Sequence, residues 1–183
     1  MKELSLNILD IAENSTKAKA ELVEIAITET DESLTITICD DGIGMSQETL
    51  LSVADPFYTT RTTRKVGMGI PLFRFAAEQT GGNLTITSKH IDEYADEHGT
   101  TVTATFYKKH IDFTPLGNVI STITTMIQGH PTVDFLFTHV YGDRYVSLDT
   151  RELRAVLDDV PLDTFEVLIW IKDNLTEQYE EFK

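Results

Sequence analysis

Asp10 and Asn14 stand one helical turn apart in Asp10-Ile11-Ala12-Glu13-Asn14, so on a helix they project the same way. Asn14 offers an oxygen ligand that could hold Mg²⁺ against phosphates, and Asp10 a carboxylate able to position an attacking water or hydroxyl. A solvated face of an amphipathic helix carries the same pattern. Further along, Asp40-Asp41-Gly42-Ile43-Gly44-Met45 ends an apolar strand pattern. A carboxylate just beyond a buried strand can accept from the exocyclic amine of adenine, and glycines let the backbone approach a flat base. A plain Asp-Gly turn uses the same residues.

Two more constellations follow, Asp55-Pro56-Phe57-Tyr58-Thr59-Thr60-Arg61 and Lys65-Val66-Gly67-Met68-Gly69-Ile70-Pro71. Gly67 and Gly69 precede a helical pattern whose free N–H groups and positive dipole end suit a triphosphate. Pro71 fits in that first turn because it removes only a donor that has no partner. Arg61, Arg64 and Lys65 concentrate three positive charges in one loop of an acidic chain, where an anion would need them.

The elements that must position these residues are legible from periodicity. Over 3–19, Leu4, Ile8, Ile11, Ser15 and Ala18 recur at helical spacing, and Glu3, Asn7, Asp10, Asn14 and Lys17 form a second, polar stripe able to face a ligand. Val23-Ile25-Ile27 and Leu34-Ile36-Ile38 alternate as two strands across the turn at 30–33, with polar positions between them. A mixed stretch runs to about Arg64. Pro71 to Thr80 reads as a helix stopped by Gly81-Gly82, and Leu84-Ile86 and Val102-Ala104-Phe106 as strands flanking an acidic loop at 92–97. Segregated helices and strands predict an α+β fold, a two-layer α/β sandwich.

The pattern restarts near Lys108 to Pro115, which predicts a division into residues 1–109 and a smaller α+β region at 110–183. Within the latter, a helix is expected from Leu116 to Gln128, ending at Gly129, and a hairpin from Val133 to Leu148 across Gly142-Asp143-Arg144. Asp149 with Glu152 and Asp163 with Glu166 have capping-box spacing, each opening a helical pattern, the second running to about Phe182. Trp170, Phe165, Tyr179 and Phe182 read as core or as a partner face. No repeat or flexible linker separates the parts, so tight packing is expected.

Bulk properties narrow the function. The net charge of -15 over 183 residues argues against a nucleic-acid partner, whose affinity rests on Lys and Arg displacing counterions. The start of the chain lacks a secretory pattern, the longest strongly apolar run, Val167 to Ile171, is too short to span a bilayer, and Cys39 is the single cysteine. Cytoplasmic residence is the expectation. The five histidines, His90, His98, His110, His130 and His139, lack metal-ligand spacing and are expected to be structural or solvated.

Taken in order, Asn14, DDGIGM, DPFYTTR, VGMGIPL, GGNLTITS and Gly99-Thr100 resemble the N, G1, F and G2 boxes of the GHKL superfamily of histidine-kinase-like ATPase domains, over roughly residues 3–107. The resemblance implies a Bergerat-type sandwich with ATP and Mg²⁺ as ligands. It makes Asn14 the Mg²⁺ ligand and brings Lys17 to a phosphate. Asp40 would bind the adenine amine, with Gly44 and Thr100 supporting the base through water and Gly42 and Met45 in the same box. Phe57 would brace a lid whose backbone, at Gly67 and Gly69, cradles the phosphates; Thr60, Arg61, Lys65, Val66, Met68 and Ile70 belong to the same nucleotide-binding set. Asp10 stands where MutL-like and gyrase-like members carry a catalytic Glu.

Three departures qualify the match. Lys65 replaces the first glycine of the phosphate loop, Asp10 is one methylene shorter than Glu, and nothing upstream resembles the helical hairpin bearing a phosphoacceptor histidine. The expected function is therefore that of an ATPase or a protein kinase in regulation, with any phosphorylation substrate on a separate chain. The alternative is a non-catalytic nucleotide-sensing module whose lid controls partner binding.

Overall fold

A computed structural model describes residues 3–54 and 68–182. Six strands form one sheet in the order β3-β4-β2-β1-β5-β6. They are β1 (Leu22–Glu29), β2 (Ser33–Asp40), β3 (Asn83–Lys89), β4 (Gly99–Tyr107), β5 (Asp134–Tyr141) and β6 (Arg144–Asp149). The helices are α1 (Leu4–Lys17), α2 (Gln47–Ala54), α3 (Gly69–Gln79), α4 (Val119–Gly129), α5 (Thr150–Leu157) and α6 (Phe165–Phe182).

Register turns the alternating sequence pattern into one continuous apolar face. Ile86, Val102, Ile38, Ile25, Phe137 and Leu148 lie side by side across all six strands, because each pairs with the next. Helices α1, α3, α4 and α6 bury their apolar stripes in the same core, through residues such as Ile8, Phe73, Ile123 and Ile171. The opposite face is polar, with Thr35 and Thr37 hydrogen-bonded across to Thr105 and Thr103 at 3.2 Å. The fold is thus α+β with two layers, as expected from patterning.

The expected division near residue 110 falls between β4 and α4, and the strands on either side of it share this sheet. β5 runs parallel to β1 along the whole of Leu22–Glu29, and β6 turns back to make the edge. The segment before α4 also caps α1: Leu4 N donates to Pro115 O at 2.9 Å and Ser5 N to Leu116 O at 2.8 Å. Two of the N–H groups that a helix start leaves without intrahelical partners are satisfied this way. Thr122 Oγ1 of α4 donates to Ser5 O, and His130 Nε2 lies 2.8 Å from Glu13 Oε1. The helix that carries Asp10 and Asn14 is therefore held by residues from beyond 110.

Two expectations change in detail. The mixed stretch after Met45 contains α2, whose eight residues bury few apolar side chains, Val53 among them, too short a pattern for periodicity to reveal. The second helix with an expected cap, α6, starts at Phe165, two residues past Asp163, whereas Asp149 does cap α5, accepting from Arg151 N at 2.9 Å. Its pKa sits below the ordinary carboxylate value, chiefly through the Arg151 side-chain hydrogen bond.

Candidate functional site

Sheet register brings three polar side chains onto one rung at the end of the apolar face. Asp40 pairs with Thr100 and Thr100 with Ser88, so the three neighbour one another across β2, β4 and β3. Beside this rung and beneath α1 opens a pocket of about 260 Å³, lined by Ile11, Asn14, Ser15, Lys17, Ala18, Ile38, Asp40, Gly44, Met45, Thr49, Val53, Ile70, Thr100 and Val102. Most of the lining is apolar, with polar groups on α1, at the end of β2, at the start of β4 and, through Thr49, on α2. That division suits a flat heterocycle with one polar edge.

Asp40 is held from three directions. Ser15 Oγ donates to its Oδ2 at 2.6 Å, while Gly42 N and Thr100 N donate to Oδ1 at 3.0 and 3.3 Å. An ionised carboxylate has about four acceptor positions, so these donors orient the group and leave roughly one position open. Asp41, the next residue, has a separate job: its Oδ1 accepts from Glu21 N and Leu22 N at 2.8 and 2.9 Å, fixing the entry into β1.

The Gly42–Met45 loop is pinned on several sides. Ile43 N donates to Ala18 O, Ile91 N to Ile43 O, and Met45 N to Ser88 Oγ at 2.8 Å. Ser88 Oγ also lies 2.8 Å from Thr100 Oγ1, so one hydroxyl ties the loop to the rung. His98 Nδ1 sits 2.7 Å from Gly42 O, and because a carbonyl only accepts, Nδ1 carries the proton. At the rim, Lys89 and Glu97 pair at 2.6 Å, an exchange that raises the lysine pKa and lowers that of the glutamate.

Glycine is required where the backbones meet. Gly44 has φ +69, and a Cβ there would stand 1.9 Å from Lys89 O; Gly99 has φ +132, and a Cβ would stand 1.9 Å from Asp40 O. The first contact sets the loop against the end of β3, and the second sets β4 against the strand that carries Asp40. At Gly69 the backbone is ordinary, but a Cβ would lie 3.0 Å from Asp10 Cβ. The first residue of α3 is thus packed directly on Asp10. Met68, the N-cap residue of α3, provides no side-chain cap.

Of the residues singled out by sequence, Asn14, Lys17, Asp40, Gly44, Met45, Ile70 and Thr100 line one pocket. Gly42 is buried and bonded to Asp40 without lining the pocket, and Asp10 and Gly69 lie together beyond the lining set. Met68 is solvent-exposed. Phe57, Thr60, Arg61, Lys65, Val66 and Gly67 lie outside the described residues, as does Arg64. The polar stripe of α1 needs two corrections, the first at Glu3, whose Oε2 accepts from Asn118 N at 3.0 Å away from the pocket, and the second at Asn7. Asn7 is only 1% exposed, and its Nδ2 has no hydrogen-bond partner among the described residues, because α3 and α4 both pack against α1.

Sequence reasoning missed the roles of Ser15 and Ser88. Each left a signal: Ser15 continues the core stripe of Ile8 and Ile11, and Ser88 continues the inward alternation of Leu84 and Ile86. A hydroxyl at a core-facing position needs a partner, and both find theirs in this site.

Comparison with known proteins agrees with the geometry. The sequence profile described as Histidine kinase-, DNA gyrase B-, and HSP90-like ATPase matches residues 1–110. The heme sensor protein HssS of Staphylococcus saprophyticus is 32% identical over 88 residues, covering 48% of this chain and 18% of that protein. Sporulation kinase C of Bacillus subtilis is 31% identical over 91 residues, 49% of this chain and 20% of that one. The chain therefore spans about a fifth of the length of these relatives. Among solved structures, the Aquifex aeolicus MutL ATPase domain complexed with ADP shares the fold, with a TM-score of 0.52 and 16% identity over 86% of this chain and 69% of that one. No helix among the described residues is long and apolar enough to cross a membrane. With a profile match over more than half its length and the matching pocket beneath α1, the chain belongs to the histidine kinase-, DNA gyrase B- and HSP90-like ATPase family, as an ATP-binding domain of the GHKL type.

Proposed function

We propose that this chain binds ATP with the adenine against Asp40 and the phosphates towards Asn14, Lys17 and the first turn of α3, and that it serves phosphoryl transfer to water or to an acceptor on a separate protein chain. The observation that carries this reading is the three-donor clamp on Asp40 within an otherwise apolar slot. A carboxylate fixed in this way offers its remaining acceptor position to an amine without reorganisation. Thr100 and Gly44, which line the same pocket, would support the base through water. Asn14 would hold Mg²⁺, and the uncapped start of α3 offers backbone N–H groups to anionic oxygens. Phe57, Thr60, Arg61, Lys65, Val66 and Gly67 would close over the phosphates as a lid. Bound ATP would supply the phosphoryl group, and Asp10, exposed beside Gly69, is the carboxylate available to orient the attacking oxygen.

A second reading, a nucleotide-sensing switch without turnover, draws support from the way residues beyond 110 cap and pack α1. Any nucleotide-linked shift of α1 would then reach α4 and β5. One experiment separates the two: γ-labelled ATP and Mg²⁺ with wild-type and Asp10→Ala protein, with and without cell extract. Phosphoryl transfer predicts free phosphate or a labelled second chain, lost in Asp10→Ala while ATP binding persists. Binding with neither product from the wild type would replace the enzymatic reading by the switch.

A further inference from the structure

Helix α6 is apolar on more of its circumference than the core covers. Val167, Ile171 and Leu175 are buried, yet Phe165, Ile169 and Trp170 remain exposed, Trp170 to 51%. Opposite them α5 presents Val156, 84% exposed. Between the two helices lies a groove of about 420 Å³ lined by Leu153, Val156, Leu157, Glu166, Val167 and Trp170. Leu153 and Trp170 also line a second, more polar hollow with Tyr145, Asp149 and Glu152, so the two hollows meet at these side chains. A lone exposed apolar residue is ordinary, but a contiguous apolar groove with polar margins marks a binding surface.

The surrounding charge identifies the occupant. From 150 to 173 the chain carries six acids, Glu152, Asp158, Asp159, Asp163, Glu166 and Asp173, against Arg151, Arg154 and Lys172. Arg151 and Arg154 are already committed to Asp149 and Asp134, each at 2.7 Å. Glu166 lines the groove and Glu152 the adjoining hollow, while the connection from α5 to α6 adds exposed Asp158, Asp159 and Asp163. A second copy would bring the same acidic margin against itself on a chain of net charge -15, and like charges facing one another disfavour that contact. Anionic lipid and nucleic acid are disfavoured on the same ground.

We propose that the α5/α6 groove docks an amphipathic helical segment of a partner protein, with one or two bulky apolar anchors seated between Val156 and Trp170 and basic residues along its flanks. Leu153 to Leu157 and Glu166 to Trp170 each run roughly 6 Å along their helices, which matches anchors spaced one turn apart. The surface is independent of the nucleotide pocket and does not rest on the function proposed for it.

Trp170 is the single tryptophan, so emission reports on this groove and the hollow that joins it, and on no other part of the chain. The probes are three synthetic peptides of equal length: an amphipathic Leu/Lys helix, the same pattern in Leu/Glu, and a Gly/Lys peptide of equal positive charge without an apolar face. The expected result is a saturable shift of Trp170 emission to shorter wavelength with the Leu/Lys helix alone. Its affinity should fall about tenfold or more in Val156→Asp, which sits outside the core, and in Glu166→Lys, and should weaken with added salt. Equal binding of the Gly/Lys peptide, affinity unchanged in both variants, or no response to the Leu/Lys helix would each overturn the proposal. So would a concentration-dependent shift in the protein alone, accompanied by dimer mass in sedimentation, since a second copy would then cover the groove.

Discussion

Residues 3–109 and 110–182 divide the work of this fold unequally. Among the described residues, the first part supplies all of the lining of the pocket beneath α1, while the second supplies none of it. Yet the second part gives β1 its parallel neighbour, caps the start of α1 and packs α4 along that helix. The difference teaches that chemistry and support can be separated along a chain while remaining inseparable in the core. A pocket whose polar groups must be placed to a fraction of an ångström needs a rigid backing, and here part of that backing comes from a region without a motif.

The strongest way to break this comparison is to damage the second part and ask whether the first survives. Phe137 is fully buried on β5 beside Ile25 of β1. Phe137→Ala should cost about 3–5 kcal/mol and lower the denaturant midpoint of the pocket region together with that of α6. Trp170 fluorescence and an ATP-site probe should therefore report one coincident transition. Two separated transitions would mean that the halves fold independently.

The edge of the second part offers a finer test. Gln178 of α6 plugs β6 like a neighbouring strand: its Oε1 accepts from Ser147 N at 2.9 Å and its Nε2 donates to Ser147 O at 3.0 Å. Gln178→Ala should cost about 1–2 kcal/mol and, by opening an edge, raise concentration-dependent association in light scattering. Unchanged stability and scattering would show that the edge needs no plug.

A pH series sharpens the link between the parts. His139 of β5 is 2% exposed, with Nδ1 2.8 Å from the Tyr179 hydroxyl, Nε2 3.2 Å from Glu29 and the Phe182 ring tilted against it. Burial holds its pKa below the ordinary 6.5, against the opposing pull of Glu29, and Lys108 adds to the lowering. The unfolded chain then binds the proton first, so stability is retained at neutral pH and falls as pH drops below 6.5. His139→Gln should flatten that part of the curve; an identical slope would remove His139 as its cause.

The smallest expected effect concerns the turn after α1. Lys19 adopts φ 60 without being glycine. Lys19→Gly should raise stability by roughly 0.5–1 kcal/mol, because a side chain in the left-handed region is strained, and a thermal melt reads the change.

Much of this architecture was legible beforehand, for definable reasons. Strict alternation at Val23-Ile25-Ile27 and Leu34-Ile36-Ile38 could only be half-buried strands, and Gly81-Gly82 could only end a helix that had to turn into β3. That Asn14, Lys17, Asp40, Gly44, Met45, Ile70 and Thr100 belong together was legible because the order of the motifs along the chain is itself a pattern. What sequence could not show was pairing: nothing in Asp134–Tyr141 says that it lies parallel to β1 rather than in a sheet of its own. Partnering of polar groups was equally hidden. Ser15, Ser88 and His98 gained meaning only when register set them beside Asp40, Met45 and Gly42, and Asn7 left the ligand-facing stripe because neighbouring helices cover it.

The central claim is that Asp40 reads an adenine amine in the pocket beneath α1. Calorimetric titration of Mg²⁺-ATP into wild-type and Asp40→Asn protein, with a thermal melt of each to confirm folding, tests it directly. The account predicts saturable binding by the wild type and affinity lower by about ten- to a hundredfold in the folded variant, the loss of one hydrogen bond to a charged group. Equal affinity in the two proteins would contradict it.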